Sequence, residues 1–301
     1  MKLSILGCYA ATPRALQNPS AQVLEIRNHI FLIDCGEGTQ LQLRKNGIRF
    51  SRIQHIFISH LHGDHFFGLP GLISTFRLLG REKELHVYGP KGIKEVITML
   101  LKLGNSWTNF PLIFHELSSL DSKEVFNDGS VVVRTIPLDH RVYTNGFLFS
   151  ELSAERKLNT SAVAKYQIDK AYFNKIKKGM PIELENGDLI PNKELSFDPP
   201  KPKQYAYCSD TAYYPQIIPL LKNVNALYHE STFLEVDKEL ATKTKHSTAK
   251  QAASIALEAD VGLLILGHFS TRYKDYDAFR KEASEHFKSV CLAKDGLVID
   301  I

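Results

Sequence analysis

The chain has 301 residues, of which 44% are hydrophobic and 23% charged, and its formal charge is +4. That is the composition of an ordinary soluble globular protein, with length enough for one large domain or two small ones. It excludes a membrane-spanning chain, because no segment approaches the ~20 apolar residues of a span. The mild basic balance permits an anionic partner without requiring one. Cys8, Cys35, Cys208 and Cys291 are widely spaced and form no CxxC pair. Free thiols in a reducing compartment, and so a cytoplasmic location, are expected.

The opening MKLSILGCYAA has one lysine and an apolar run too short for a signal peptide, so it reads as a first strand. Residues 3–8, 22–25 and 29–34 have strand character, with turns at TPRALQNP and RN. EGTQLQLRKNG predicts a short helix ending at Gly47. IQHIFIS is a buried strand, GLISTFRLLG a helix, ELHVYGP a strand and KGIKEVITMLLKLG a helix. Strands near 112–116, 131–137 and 147–150 follow.

The character then changes. Between about 151 and 203 large apolar residues thin out. From Arg156 to Lys178 the charges are Arg156, Lys157, Lys165, Lys170, Lys175, Lys177 and Lys178 against Asp169 alone, with Tyr166, Tyr172 and Phe173 interleaved. ENGDLIPN and FDPPKPK supply turn and linker chemistry. Residues 151–203 are therefore expected to form a basic insertion within a single 1–301 domain. Regular alternation resumes with QYAYCSD (strand), TAYYPQIIPLLKN (helix) and NALYHES (strand). STAKQAASIALEAD follows as a helix capped by Ser247 or Thr248. VGLLILGH is a strand, DYDAFRKEASEHF a helix and CLAKDGLVID a closing hairpin.

Four polar residues stand where an apolar run meets a loop: His60, His140, Asp210 and His268. Strand ends along one rim of packed α/β layers lie near each other, and residues presented there form sites. The first belongs to HLHGDH, which places His60, His62, Asp64 and His65 within six residues. Imidazole nitrogen and carboxylate oxygen are standard zinc ligands. In a tight turn His60 and His62 can point one way and Asp64 and His65 the other, with Gly63 relieving the crowding between them. Such a turn can serve two metals, with His140, Asp210 and His268 supplying the rest. Asp210, with two oxygens, is the natural shared ligand. His29, His55, His86 and His115 each read as an ordinary structural histidine. A two-metal site lowers the pKa of a bridging water and stabilises attacking and leaving oxygens of a displacement. That suits phosphodiesters, and equally lactams, thioesters and lactones.

SHLHGDH resembles the HxHxDH signature of the metallo-β-lactamase superfamily, with His140, Asp210 and His268 at its later ligand positions. FLIDCGEGTQLQL, ISHLHGDHFFGLPGLI, HES at 229–231, HST at 246–248 and GHFSTRY at 267–273 resemble the ribonuclease Z family, endonucleases that remove 3′ trailers from precursor tRNA. The resemblance implies an α/β fold, a four-layer αβ/βα sandwich with the site on one rim and a protruding arm. It implies a homodimer and two zinc ions per subunit, although manganese or iron suit the same ligands. It assigns His60, His62 and His140 to one ion, Asp64, His65 and His268 to the other, and Asp210 to both.

It also gives Asp64 a proton-acceptor role, to which pure ligation is the plain alternative. His246 could donate a proton to the leaving 3′ oxygen with Glu230 holding its tautomer; a helix-capping loop and a satisfied buried acid are the alternatives. Arg272 could clamp a phosphate or form a structural ion pair. The arm, with Lys170, Lys175, Lys177 and Lys178, would grip the tRNA elbow, or be a solvated charged face. Two stretches depart from the family pattern. Asp169, Lys170 and Ala171 stand where a Gly-Pro turn is usual. PRALQN keeps Pro13 and Asn18 of a PxKxRN loop but has Ala15 and Gln17 at its basic positions, with Arg14 beside them. A small-molecule hydrolase (lactonase, arylsulfatase, thioesterase or phosphodiesterase) and a non-catalytic RNA-binding module are the other readings.

Overall fold

The structure is a computed structural model describing residues 1–12 and 14–301; Pro13 lies outside the described residues. In chain order the strands are β1 (Lys2–Gly7), β2 (Ala21–Ile26), β3 (His29–Ile33), β4 (Ile53–Phe57), β5 (Leu85–Pro90), β6 (Leu112–Leu117), β7 (Glu124–Asn127), β8 (Val131–Pro137) and β9 (Asn145–Glu151). The short β10 (Lys157–Leu158), β11 (Ile182–Glu183), β12 (Leu189–Ile190) and β13 (Ser196–Phe197) come next. They are followed by β14 (Gln204–Cys208), β15 (Ala226–Glu230), β16 (Leu263–Gly267), β17 (Val290–Leu292) and β18 (Val298–Asp300). The helices are α1 (Thr39–Lys45), α2 (Gly63–Phe66), α3 (Leu69–Leu78), α4 (Ile93–Leu103), α5 (Thr160–Lys165), α6 (Phe173–Lys177), α7 (Asn192–Leu195), α8 (Lys238–Thr244), α9 (Ala249–Ala259) and α10 (Asp277–Ser284).

The chain divides into two compact units, residues 1–150 with 203–301, and residues 151–202. In the larger unit one seven-stranded sheet runs β18-β1-β2-β3-β4-β5-β6 and a second runs β17-β16-β15-β14-β9-β8-β7. β3 to β6 pair in parallel, and so do β14 to β17. Parallel neighbours need crossovers, and these carry helices on the outer faces.

Three apolar layers follow from that arrangement. Phe31, Phe57, Phe147, Phe149, Tyr205 and Tyr207 pack between the sheets. Leu43, Leu72, Phe76 and Ile97 of α1, α3 and α4 cover the first sheet's other face. Ala252, Ala253 and Ala256 of α9, with Phe279 of α10, cover the second. The result is a four-layer αβ/βα sandwich. The small alanines let α9 lie close on its sheet, and a Thr248–Gln251 capping box fixes its start.

Two elements differ from the sequence reading. TAYYPQIIPLLKN forms only a 3-10 stretch, Pro215–Leu220, because Pro219 inside it removes a donor and blocks a longer helix. CLAKDGLVID is not a hairpin. β17 pairs in parallel with β16 of the second sheet, and β18 pairs antiparallel with β1 of the first. Each strand completes the free edge of a different layer instead of meeting the other.

The smaller unit has its own core of Ile168, Ile176, Ile182, Ile190 and Leu195. Two two-stranded ladders, β10-β13 and β11-β12, carry α5, α6 and α7 between them in sequence. It holds nine cationic and eight anionic side chains, so its basic character is confined to 156–178. Arg156 pairs with Asp198, and Lys177 lies 3.7 Å from Glu155.

Candidate active site

The site residues stand just past strand ends, where the backbone turns sharply. Asp34 after β3, Asp210 two residues past β14 and His268 after β16 all have positive φ, at 55°, 59° and 59°. For residues with a side chain that conformation costs roughly 1–3 kcal/mol. It is held by buried bonds such as His268 N–H to the Cys8 carbonyl at 2.7 Å. The HLHGDH stretch runs from β4 into α2, with His62 at the helix N-cap and Asp64 and His65 in the first turn. The GEGTQ turn closes against it: Cys35 N–H donates to the His65 carbonyl at 2.7 Å. A Cβ at Gly36 would lie 2.4 Å from the Asp64 carbonyl oxygen, so only glycine allows this approach. Gly63 has a different role from the one its spacing implied. A Cβ there would meet the Phe67 ring at 2.3 Å, so it makes room for that ring and not for the neighbouring imidazoles.

The structure brings eight ligand-type side chains together in overlapping groups. His60, His62, His140 and Asp210 offer atoms all within 4.8 Å of one another, as do Asp64, His65 and His268. Asp210, His246 and His268 form a third such group. Asp210 reaches both sides: Oδ2 is 3.6 Å from His60 Nε2 and 3.7 Å from His140 Nε2, while Oδ1 is 3.2 Å from His65 Nε2 and 3.1 Å from His268 Nε2.

A surrounding set of acceptors fixes the histidine rings. His65 Nδ1 donates to Asp34 Oδ2 at 2.7 Å, His60 Nδ1 to Ser59 Oγ at 3.0 Å, His140 Nδ1 to the Lys245 carbonyl at 2.8 Å and His268 Nδ1 to Thr232 Oγ1 at 2.9 Å. In each case Nε2 is left for the cluster. Asp34 is fully buried and also accepts from Ser59 N–H, Ser59 Oγ and Tyr207 OH. Sequence reasoning missed Asp34, Ser59 and Thr232. Only the strand-end position of Asp34, inside DCGEGTQ, could have pointed to any of them.

Burial keeps His60, His62 and His140 below the ordinary imidazole range, so they present neutral nitrogens. Burial acts the same way on His65, but Asp210, Asp64 and Asp34 outweigh it and raise its pKa. Burial would raise Asp64, yet the neighbouring His65 and a hydrogen bond from His268 pull it below the usual carboxylate range.

His246 lies beside the cluster, its ring 5.0 Å from His140 and 5.4 Å from His268. Its Nδ1 donates to Glu230 Oε1 at 2.7 Å. Glu230 is fully buried and also accepts from Thr211 N–H, Thr232 N–H, Thr232 Oγ1 and Ser247 N–H. Burial opposes both charges, but the pair prevails: Glu230 is held at about 2 and His246 at about 9. Glu230 thus favours the protonated form of His246, which also lines the cleft.

Arg272 is exposed and lies 3.8 Å from Asp237. Arg14 donates to the carbonyls of Thr271 and Tyr273. Asn18 is tied to Asp295 through N–H and Nδ2. In the smaller unit Lys170, Lys175 and Lys178 are exposed, with Lys175 5.4 Å from the Tyr172 ring centroid. The cation that lines the cleft is Arg141, which the sequence reading passed over.

The donor set fits a metal. His65 Nε2 is fully buried and has no hydrogen-bond partner, while facing two carboxylates. A cation among imidazole nitrogens and carboxylate oxygens satisfies all of them.

Residues 1–184 match the family described as Anti-Pycsar protein Apyc1. Over its full length the chain is 46% identical to a ribonuclease Z of Bacteroides fragilis, covering 99% of that protein, and 43% identical to one of Bacteroides thetaiotaomicron, covering 95%. The solved structure of human tRNase Z, short form, is 28% identical, covers 100% of this chain and 99% of that one, and has a TM-score of 0.73. The Apyc1 match ends before Asp210, Glu230, His246 and His268, whereas the ribonuclease Z relatives span all of them. The chain belongs to the ribonuclease Z family, within the metallo-β-lactamase fold, and over its first 184 residues to the family described as Anti-Pycsar protein Apyc1.

Proposed function

We propose that this ribonuclease Z removes 3′ trailers from precursor tRNA by metal-dependent hydrolysis of one phosphodiester. The observation that carries this reading is a pair of ligand groups sharing Asp210, with a Glu230-oriented His246 beside them. His60, His62 and His140 would hold one ion and Asp64, His65 and His268 the other, with Asp210 within reach of both groups. Two zinc ions are the assignment, and manganese or iron suit the same donors. Metal ions bound there would supply Lewis acidity, activating water and stabilising the attacking and leaving oxygens.

The chain's own groups do the rest. Water oxygen bonds to phosphorus and releases its proton to solvent, the P–O3′ bond breaks, and His246 gives its ring proton to O3′ and is reprotonated from solvent afterwards. The products are a tRNA 3′ hydroxyl and a trailer 5′ phosphate. Glu230 holds the tautomer and charge of His246. Asp64, with its depressed pKa, is a weak base and acts as a ligand.

The unit at 151–202 supplies a tRNA contact through Lys170, Lys175, Lys177 and Lys178, supported by the exposure of Lys170, Lys175 and Lys178. A homodimer is supported by large apolar side chains left exposed from α1 to the end of α3: Leu41, Phe67, Leu78 and Leu79. A cytoplasmic location accords with the absence, among the described residues, of any helix long and apolar enough to cross a membrane.

Cleavage of a labelled precursor tRNA with both product ends mapped, with and without chelator, tests the reaction. Hydrolysis of a small phosphodiester or lactone without any cleavage of precursor would favour a small-molecule hydrolase on the same fold.

A further inference from the structure

Three cavities of the larger unit share walls. The metal cleft, of about 330 Å³, is lined by Ala10, Ala11, Gly63, Asp64 and Arg141 among others. Ala10, Ala11, Gly63 and Asp64 also line a cavity of about 500 Å³, together with Gln17 and Asn18. On its other side the cleft meets a groove of about 410 Å³, and Arg141 lines both. The groove holds Leu120, Pro137, Val142 and Tyr143. A strand bound over the metal ligands therefore has one recess adjoining it at Ala10, Ala11, Gly63 and Asp64 and another adjoining it at Arg141.

Arg141 is the only Lys or Arg among the described residues that line the cleft. Neighbouring cations are committed elsewhere. Lys245 Nζ bonds both oxygens of Asp139, at 3.0 and 2.8 Å, Arg272 pairs with Asp237, and Arg14 is spent on carbonyls. Arg141 is exposed and makes no hydrogen bond or ion pair among the described residues. Arg141 is therefore the exposed cation at the point where a bound polyanion would leave the metal ligands. A guanidinium binds phosphate through two parallel N–H bonds.

The groove beyond has a fixed apolar rim. Leu120 is 81% and Val142 41% exposed. Tyr143 is anchored, its OH donating to the Ser119 carbonyl at 3.0 Å and accepting from Asn145 Nδ2 at 2.7 Å. Apolar and aromatic side chains beside one phosphate-binding cation match a single-stranded nucleotide.

We propose that Arg141 binds the backbone phosphate next to the scissile one, and that the Leu120–Val142–Tyr143 groove takes the nucleotide attached to it. The inference rests on the RNA-processing reading of the same site. The test uses the full-length protein and a precursor tRNA made uncleavable by a methylphosphonate at the scissile linkage. Binding is followed by fluorescence anisotropy across a salt series. R141A is expected to weaken binding roughly tenfold and to flatten the slope of log K against log salt by about 0.7, one single-strand phosphate contact. R141K keeps the slope but binds less tightly, because it keeps the charge and loses the fork. Leu120→Asp, which places a carboxylate on the groove rim, also lowers affinity. Wild-type affinity and slope in R141A overturn the Arg141 contact, and wild-type affinity in Leu120→Asp overturns the groove. Thermal melting checks that each variant folds. Failure of the wild-type protein to cleave ordinary precursor would instead overturn the RNA-processing reading, so the two failures are distinguishable.

Discussion

The larger unit contains two groups of histidines on one framework. His60, His62, His65, His140 and His268 stand past strand ends, among Asp34, Asp64 and Asp210. His29, His55, His86 and His115 lie within β3, β4, β5 and β6, one to a strand. There the rings stack on one another and on aromatics. His55 and His86 centroids are 5.0 Å apart, His86 and His115 5.2 Å, and Tyr88 and His115 4.3 Å. His86 Nδ1 meets His115 Nε2 at 2.9 Å, so the nitrogens satisfy each other, and His29 Nε2 is taken by Asp128 at 2.6 Å. The same residue type thus serves two ends. Where strand ends bring carboxylates among the rings, nitrogens are left aimed at a common point. Where the strand continues, imidazole packs as a flat, half-polar aromatic.

That contrast breaks most sharply by deletion. His65→Ala or Asp210→Ala should abolish cleavage and lower metal content by elemental analysis, while His86→Phe should leave both as in wild type. Equal loss from His86→Phe would end the distinction. Next, His246→Ala should cost about 10²–10⁴-fold in kcat at full metal content, as removal of a general acid does. Glu230→Gln should shift the acidic-donor limb of the kcat–pH profile downward, since Glu230 is what lifts His246 to about 9. An unaltered profile would reduce the pair to a helix-capping loop.

A smaller effect is expected one layer out. Asp34→Asn should weaken metal binding about 10–100-fold, measured by chelator competition, because His65 loses the acceptor that orients it. The smallest concerns pH and the stacked group. Burial first, then His86, His29 and His115, hold His55 at about 4 against an ordinary 6.5. The folded state therefore binds fewer protons than the unfolded one between those values. Its contribution to stability is complete above about 6.5 and is lost as pH falls towards 4. His55→Phe should flatten the fall in urea midpoint over that window; a parallel curve would show that His55 carries none of it.

The parts of this molecule differ in how far they could be read beforehand. His60, His62, Asp64 and His65 were legible because one short turn carries them all. The basic run at 156–178 was legible too, but not its near-cancellation by Glu183, Glu185, Asp188, Glu194 and Asp198, some of which pair with it only after folding. Asp34, Ser59, Thr232 and Arg141 were not legible as site residues, because nothing local distinguishes them from turn or loop residues. Asp34 gains its role from His65 and Tyr207 and Thr232 from His268, partners far along the chain, and Arg141 from the cavities it comes to line. CLAKDGLVID was misread for the same reason. A strand–turn–strand pattern states that two strands follow each other, and it is silent on which sheet edge each will meet.

By itself the sequence determined the alternation of strands and helices and the crowding of metal-type ligands at one strand end. Those depend on short-range periodicity and on residue chemistry. Tertiary structure alone decided that β17 and β18 part between two sheets and that four scattered histidines come side by side across β3 to β6. It also decided that Asp210 comes within 4 Å of His60, His65, His140 and His268. Those are matters of register and of which strand ends share a rim, and they are set by long-range burial that no local pattern encodes.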